Sequence, residues 1–400
     1  MEDLLRITGE LADEGRFHRQ QLIEWWDQPR LERARVLVIG AGALGNEILK
    51  NLALLGIGHV FVADLDRIEL SNLARSVLFR DSDIGLMKAE VAARRAARLC
   101  PQMQVTPFVG NIVYDLGAGV FRWADVVICG LDNREARVAV NQVCRRVGRP
   151  WIDGAIEGLS GVVRTFLPDS GACYECTMSE VDWQMLEARR SCALLSREQM
   201  QTGHTPTTAT TSSIVAGFQC QEMLKLIHGL PVAGGAGMVI NGQINDVYPV
   251  AYPEREDCLA HETFGEIVEL PQKSSEITLG EILARAKTDL DPDATLEFSR
   301  EILEQLECVQ CDRRDPVFTS LGKVTENDAR CETCGNIRFP RMMHGVGADR
   351  PDLLGKSPLE VGLPPYDIII GRSASATRAY LMAGDHGEIL GVSAGKRENG

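Results

Sequence analysis

The stretch from Val36 to Lys88 restricts the fold more than any other part of this chain. It opens with "RVLVIGAGALGNEILKNLALLG", which reads as a buried strand, a tight turn carrying Gly40, Gly42 and Gly45, and a helix whose free N-terminal amides face that turn. Such a helix end attracts phosphate, because unpaired N–H groups and the helix dipole both favour negative charge. The next apolar run, "HVFVADLD", predicts a second strand ending at Asp64, 24 residues after Gly40, where a carboxylate can accept bonds from both hydroxyls of a ribose. This order of strand, turn, helix and strand predicts a doubly wound α/β fold with a mostly parallel sheet. On these residues alone the ligand stays open among NAD, FAD and ATP.

The residues that follow narrow it. "DLDRIELSNLARS" brings Asp66, Asn72 and Arg75, and "GLMKAEVAARRAARL" opens a helix with Lys88 in its first turn. A dinucleotide's pyrophosphate carries about two charges and is usually held by backbone amides, whereas a triphosphate carries about four and calls for Arg, Lys and a metal. A further strand, in "ADVVICGLDNREAR", delivers Asp132 and Asn133 to the same carboxyl edge, where open α/β sheets bind ligands. Asp132 is the candidate Mg²⁺ ligand. Taken singly, each residue has a plain structural reading: glycines for close packing, Asp64 and Asp66 as turn caps, Arg75 and Lys88 as solvated charges. Packing alone has no need of two cations and three acids at one edge of one sheet, so together they read as an ATP site.

The 42 Lys and Arg against 56 Asp and Glu leave a net charge of −14, which argues against a nucleic-acid partner, whose binding face normally shows as a basic excess. The N-terminus "MEDLLRITGELADEGRFHRQ" lacks a charged-then-apolar signal, and no run reaches the roughly 18 apolar residues of a membrane span. The expectation is a cytoplasmic protein with no membrane association. In that compartment 12 cysteines point to metal rather than to disulfides. Cys308, Cys311, Cys331 and Cys334 form two Cys-x-x-Cys knuckles with nineteen residues between them, the spacing of a zinc ribbon. The other knuckle, Cys173 and Cys176, needs two distant partners, and Cys258 and His261 in "REDCLAHE" are the natural pair. The alternative leaves His261 on the surface and completes that site with Cys331 or Cys334. Two sites are the preferred reading, because four thiolates at ribbon spacing already satisfy one ion. Both would be structural Zn²⁺, since a closed four-ligand shell leaves no position for water. Cys100, Cys129, Cys144 and Cys220 lie in apolar periodic segments and read as core residues.

In order and spacing, "RFHRQ", "VLVIGAGALGNEILKNLALLGIG", "DLDRIELSNLARS", Lys88, "GLDN", "CYEC" and "VAGFQCQEMLKLI" resemble the ubiquitin-activating superfamily, which includes ThiF and MoeB proteins and the activating enzymes for ubiquitin and UFM1. The resemblance covers roughly residues 16 to 262, with one departure at Ser76, where a glutamine is common after the arginine. It implies a short N-terminal helical segment over 1–30 and a Rossmann-like, ThiF-type adenylation domain over 31–263. It also implies ATP with Mg²⁺, and a ubiquitin-like protein as substrate. Arg75, Lys88 and Asp132 would then act at the phosphates. Arg19, from "RFHRQ", would reach the site from the partner subunit, which implies a homodimer. The resemblance also implies that the first knuckle completes a zinc site after the domain's last strand, here with His261 as the final ligand.

Residues 180–212, a crossover loop in this reading, are too polar and too long for an ordinary connection, and such loops are usually functional or disordered. The segment contains Cys192 behind Arg189 and Arg190, and neighbouring cations raise a thiol's thiolate fraction. In resembling proteins a cysteine sits in this loop, and in UFM1-activating members it carries a thioester. The correspondence is imperfect, because "LLSREQMQTGH" is extra sequence after Cys192; the plain alternative is an exposed structural cysteine. The resemblance implies adenylation of a C-terminal carboxylate, transfer to Cys192, and onward passage to a conjugating enzyme. The alternative is a sulfur-carrier adenylyltransferase of the MoeB type, which needs no enzyme thioester. A non-catalytic subunit would not need Arg75, Lys88 and Asp132, and an NAD-dependent oxidoreductase would leave both cations and both knuckles unexplained.

From about Phe264 the composition shifts. "GEIVELPQKSSEITLGEILARAKTDLDPDATLEF" reads as a strand, a linker, a short amphipathic helix with Ile277, Leu279, Ile282 and Leu283, and another strand. The zinc ribbon, 308–334, follows, and then two strands around Ile368 and Tyr380. We read 264–400 as a smaller α+β domain that recruits the conjugating enzyme or grips the substrate. A chain of this build is also similar to activating enzymes of bacterial ubiquitin-like conjugation operons linked to antiviral defence.

Overall fold

The computed structural model describes residues 15–191 and 206–391. Two short helices, α1 (His18–Gln21) and α2 (Gln28–Arg33), precede the first strand; Asp27 caps α2 by accepting from Arg30 N at 3.0 Å. Strand β1 (Arg35–Ile39) has four consecutive buried residues after Arg35 and pairs in parallel with β2 (His59–Asp64). Beyond β2 lies β3 (Gln104–Val109), also parallel. The chain then crosses to the other side of β1 to lay down β4 (Val126–Cys129) and β5 (Trp151–Glu157), again parallel. Strands β6 (Ser160–Phe166), β7 (Ala236–Asn241) and β8 (Asp246–Ala251) extend the sheet antiparallel, completing the order β3-β2-β1-β4-β5-β6-β7-β8. The reversal of strand order between β1 and β4 opens a crevice at their carboxyl ends, the place where such sheets bind ligands.

Because side chains alternate along a strand, β1 feeds two cores. Val36 and Val38 pack with Ile48, Leu49 and Leu52 of α3 (Ala43–Leu55) and with Val91 of α4 (Lys88–Leu99). Leu37 and Ile39 pack on the other face with Phe121 of α5 (Ala118–Trp123) and Val140 of α6 (Arg134–Arg146). The segment expected as a loop from residue 180 begins instead as a helix, α7 (Glu180–Ser191). Local chemistry explains it. Asp182, in the first turn, accepts from Ser179 N at 3.0 Å and from Ser179 Oγ at 2.8 Å, and Leu186 is buried. The next described helix, α8 (Ala209–His228), starts inside the segment expected as a loop, because Thr208 is its N-cap and its Oγ1 accepts from Thr211 N.

A second sheet follows. It contains β9 (Ile267–Leu270), β10 (Thr295–Cys308), β11 (Arg313–Ser320), β12 (Phe339–Val346), β13 (Ile368–Arg372) and β14 (Thr377–Met382), ordered β11-β10-β13-β14-β9 with β12 on the free side of β10. Helix α9 (Leu279–Asp289) packs on it with Leu279, Ile282 and Leu283. Ile277, expected inside this helix, precedes its N-cap Thr278 and shares an apolar cluster with Ile282, the arrangement of a hydrophobic staple. Strand β10 is a single run of 14 residues, so the first ribbon cysteine, Cys308, sits at a strand end.

The two sheets share a core. Tyr366, Ile368, Ala379 and Leu381 belong to the same apolar cluster as Leu37, Ile39, Phe61 and Phe121. Asp367, fully buried, accepts from Ala118 N at 2.8 Å and lies 3.0 Å from Arg300, whose guanidinium also donates to Val113 O and Leu116 O. A Cβ added at Gly119 would lie 2.5 Å from Tyr366 O, so backbone meets backbone at this seam. No described helix is long and apolar enough to cross a membrane. Asp367→Ala should cost about 3–5 kcal/mol, because it leaves Arg300 buried without its carboxylate. Denaturant titration followed by two probes, one per sheet, should show both midpoints falling together; an unchanged midpoint would rule out this pair as the bolt between the sheets.

Candidate functional site

The glycine turn is built by close approach. Gly40 has φ +91°, and a Cβ there would sit 2.6 Å from Gly130 O, in the turn that follows β4. A Cβ at Gly45 would lie 1.8 Å from Gly40 O. Gly42, the N-cap of α3, differs: a Cβ there would meet nothing within 4 Å, so the protein leaves open space above it. Asn46, fully buried one residue past the third glycine, donates to Ala41 O at 2.7 Å and Gly42 O at 3.0 Å and accepts from Leu78 N at 2.9 Å. It pins the turn to the segment after Arg75. Sequence reasoning missed it, although a polar residue amid the apolar positions of α3 was a visible signal.

Asp64 ends β2 and accepts from Ala41 N at 2.7 Å and Asp66 N at 2.8 Å. Burial raises its pKa above the usual carboxylate value, outweighing the nearby Lys88 charge and these two N–H donors. Lys88 opens α4, and its Nζ lies 2.8 Å from Asp66 Oδ2 with only 12% of the side chain exposed. Asn72 is buried, and its Oδ1 accepts from Glu69 N at 3.0 Å, capping its own turn. Arg75 is half-buried and donates to Ser71 O at 2.7 Å. Asp132 is exposed after β4, its Oδ1 3.3 Å from Asn133 Nδ2, while Asn133 Oδ1 caps α6 by accepting from Ala136 N at 2.8 Å.

Direct bonds therefore join the glycine turn, Asp64, Asp66 and Lys88, and the contact of Gly40 with Gly130 brings the Asp132 loop beside them. Among the described residues Arg75 connects to this group through its own segment, by way of Leu78 and Asn46. Arg19 does not join it within one chain. Its helix packs at the far end of α3, where Gln20 donates to Leu54 O and Phe17 lies against Gly56. At 13 residues α3 is about 20 Å long, which separates Arg19 from the turn by roughly that span. Cys192 lies outside the described residues.

Under the Asp132 loop lies a charged group that the sequence did not reveal. Asp153, fully buried on β5, pairs with Arg137 Nε at 2.8 Å and with Arg164 at 2.5 Å. Burial pushes the Asp153 carboxyl up, but the two guanidinium groups outweigh it and hold it below the usual carboxylate range. Arg137 also donates to Leu131 O and Gly154 O, and Arg164 lies 5.0 Å over the Tyr174 ring. Arg134, just past Asn133, pairs with Asp182 of α7 at 2.9 Å.

Two groups of side chains can each hold a metal ion. Cys173, Cys176, Cys258 and His261 form one, and Cys308, Cys311, Cys331 and Cys334 the other, with ligand atoms within 4.8 Å of one another in each. Cys331 and Cys334 therefore do not complete the first group. Sulfurs around tetrahedral zinc sit about 3.8 Å apart, against about 2 Å in a disulfide. The observed separations are 3.8 Å for Cys173 and Cys176, 3.7 Å for Cys173 and Cys258, and 3.6 Å for Cys308 and Cys334. His261 Nε2 lies 3.3 Å from Cys176 Sγ, and its Nδ1 faces Glu254 at 3.4 Å, the carboxylate that commonly orients a metal-bound imidazole. Backbone N–H groups of Cys334 and Thr333 hold the Cys331 thiol down at about 6, whereas burial pushes Cys258 up to about 12. The donor sets fit zinc. Cys100, Cys129, Cys144 and Cys220 are buried.

Known proteins resemble this chain in sequence and in fold. The chain is 43% identical over 159 residues to the Nedd8-activating enzyme E1 catalytic subunit of Drosophila melanogaster, covering 36% of this chain and 35% of that one. It is 36% identical over 180 residues to a sulfur carrier protein adenylyltransferase of Thermus thermophilus, covering 43% of this chain and 66% of that protein. The chain thus spans about a third of the length of the Nedd8-type relatives it matches. A crystal structure of E. coli MccB with ATP superposes with a TM-score of 0.52 over 64% of this chain and 75% of that one, at 22% identity, a likeness of fold. The ThiF family model matches residues 17–255, from α1 to just short of the Cys258 and His261 ligands. The chain belongs to the ThiF family, within the ubiquitin-activating superfamily.

Proposed function

We propose that the chain is an ATP-dependent activating enzyme for a ubiquitin-like protein. The open space above Gly42, with Asp64 bonded to the neighbouring Ala41 N–H and the Lys88–Asp66 pair joined to Asp64 at the same edge of the sheet, carries this reading. At neutral pH a C-terminal carboxylate is a poor acyl donor. Here a carboxylate oxygen of the substrate attacks the α-phosphorus of ATP, the bond to the β-phosphate oxygen breaks, and pyrophosphate leaves. The product is an acyl-adenylate. Lys88 exchanges Asp66 for phosphate oxygens, Arg75 exchanges Ser71 O for them, and Asp64 receives the ribose hydroxyls. Asp132 would hold Mg²⁺, which would supply charge neutralisation at the phosphates. Arg19 is supplied by the second subunit of a homodimer, which its distance from the turn within one chain favours.

The thiolate of Cys192 then attacks the acyl carbon, AMP leaves with the electrons of the mixed-anhydride bond, and a thioester forms. Helix α7 leads directly into Cys192. A second reading, adenylation for sulfur transfer without an enzyme thioester, is favoured by the larger share of the Thermus adenylyltransferase that the chain covers. Residues 264–400 recruit the conjugating enzyme or grip the substrate in this scheme. The strongest candidate surface is the tip of the ribbon, where Val309, Ile337 and Phe339 are exposed. Because the sheets share a core, truncation at 265 would strip apolar partners from Phe121, so this role is better tested by substitution. We place the protein in the cytoplasm, and in an antiviral conjugation operon, as part of the same proposal; co-purification of a ubiquitin-like protein from the native host would test it.

Activity, adduct and metal measurements check this reading. ATP–pyrophosphate exchange with a candidate ubiquitin-like protein should fall about 100-fold or more in Lys88→Ala and in Asp132→Ala. Mixing Asp132→Ala with Arg19→Ala should restore part of it if the subunits share sites. On a non-reducing gel, a thiol-sensitive adduct that needs ATP should vanish in Cys192→Ala while exchange persists; exchange without any adduct in the parent would hand the assignment to the sulfur-carrier reading. Phe339→Asp should slow transfer to a conjugating enzyme and spare exchange, and equal loss of both would refute the assignment of the ribbon tip. Elemental analysis should find two zinc ions per chain, and strong chelation should lower the melting temperature; a metal-free, equally stable protein would contradict the structural role.

A further inference from the structure

The buried acid under the Asp132 loop is not explained by packing alone. Removing a carboxylate and two guanidinium groups from water is expensive, and an apolar replacement of such a group is often neutral or stabilising. Its connections show what it can do. Asp153 stands opposite Cys129 on β4 and opposite Arg164 on β6, and it holds the Arg137 guanidinium from below. Arg137 reaches up to donate to Leu131 O at 2.5 Å and across to Gly154 O at 3.3 Å. The Leu131 carbonyl belongs to the planar peptide whose nitrogen is that of Asp132, so fixing that oxygen fixes the direction in which Asp132 leaves the strand. On its other side Asp132 is followed by Asn133, locked as the cap of α6. An exposed carboxylate is thereby clamped at both neighbours, with the upstream clamp anchored on Asp153.

We propose that Asp153, acting through Arg137, is the positioning residue for Asp132, setting its affinity for the metal that accompanies ATP. This rests on the ATP reading of the site. Arg164 plays a different part: it balances the remaining carboxylate oxygen and packs on Tyr174, without touching the Asp132 loop through any bond described above. The three residues can therefore be separated. In Asp153→Asn the shape is kept and the charge that orients Arg137 is lost. In Arg137→Lys a cation stays beside Asp153, but a single ammonium cannot serve Asp153, Leu131 and Gly154 in the geometry of the guanidinium. In Arg164→Met the pair of Arg137 and Asp153 remains.

The test is Mn²⁺ binding to the full chain in the presence of ATP, followed by the paramagnetic resonance of free Mn²⁺. Asp153→Asn and Arg137→Lys should each weaken binding about 10-fold or more, the range seen when a residue orienting a metal ligand is lost, while Arg164→Met keeps the parent affinity. The proposal is overturned if the first two folded variants bind like the parent, or if Arg164→Met weakens binding equally, which would mark the group as a purely structural pair. Should Asp153→Asn not fold, Arg137→Lys decides alone. If the parent itself binds no Mn²⁺ with ATP, the ATP reading fails and the proposal falls with it; if the parent binds and Arg137→Lys matches it, only the positioning role fails.

Discussion

The contact between the backbones of Gly40 and Gly130 is the constraint on which the rest of the site depends. It is the point where β1 and β4 deliver their turns to the same edge, and no side chain fits between them. Because the strand order reverses there, the crevice above β1 is bounded on one side by the end of β2 and on the other by the Asp132 loop. Any residue larger than glycine at position 40 would wedge the two turns apart and separate Asp64 from Asp132. The chemistry of the site is thus a consequence of how closely two pieces of main chain can approach.

Electrostatics then divide the edge into two regimes. On the β2 side the pair is partly exposed: Lys88, itself largely covered, rests on the more exposed carboxylate of Asp66. On the β4 side the charges are buried and fixed, with Asp153 held ionised by two arginines that burial alone would disfavour. Helix α7 is tied to the rigid side through Arg134 and Asp182, so the path toward Cys192 starts next to the Asp132 loop.

The second sheet is not an appendage. It supplies Tyr366, Ile368 and Leu381 to the core under α5, and its Asp367 accepts from the first N–H of that helix. The metal-binding groups do a different job at the periphery. The first closes the end of the antiparallel extension, joining cysteines 85 residues apart, and the second closes the hairpins around the end of β10. Each lies beside a small apolar cluster of its own, Ala172 and Ala260 at the first and Leu303, Leu306 and Ala329 near the second.

The sequence by itself determined the features that are local. The strand, glycine turn and helix, the acid at the end of β2, the first-turn lysine of α4 and the ribbon spacing each follow from residues close together in the chain, where periodicity and turn chemistry suffice. The helix starts at Thr208, Thr278 and Ser179 did not follow from the apolar pattern, because a cap moves a helix boundary by several residues without changing that pattern. The tertiary structure decided what depends on register between distant strands. Asn46 meeting Leu78, Asp153 standing between Arg137 and Arg164, and Asp367 reaching Ala118 have no signature in the spacing of residues. A lone buried acid or asparagine acquires its partners only when sheets and helices pack, since only then is water removed and each polar group required to find another.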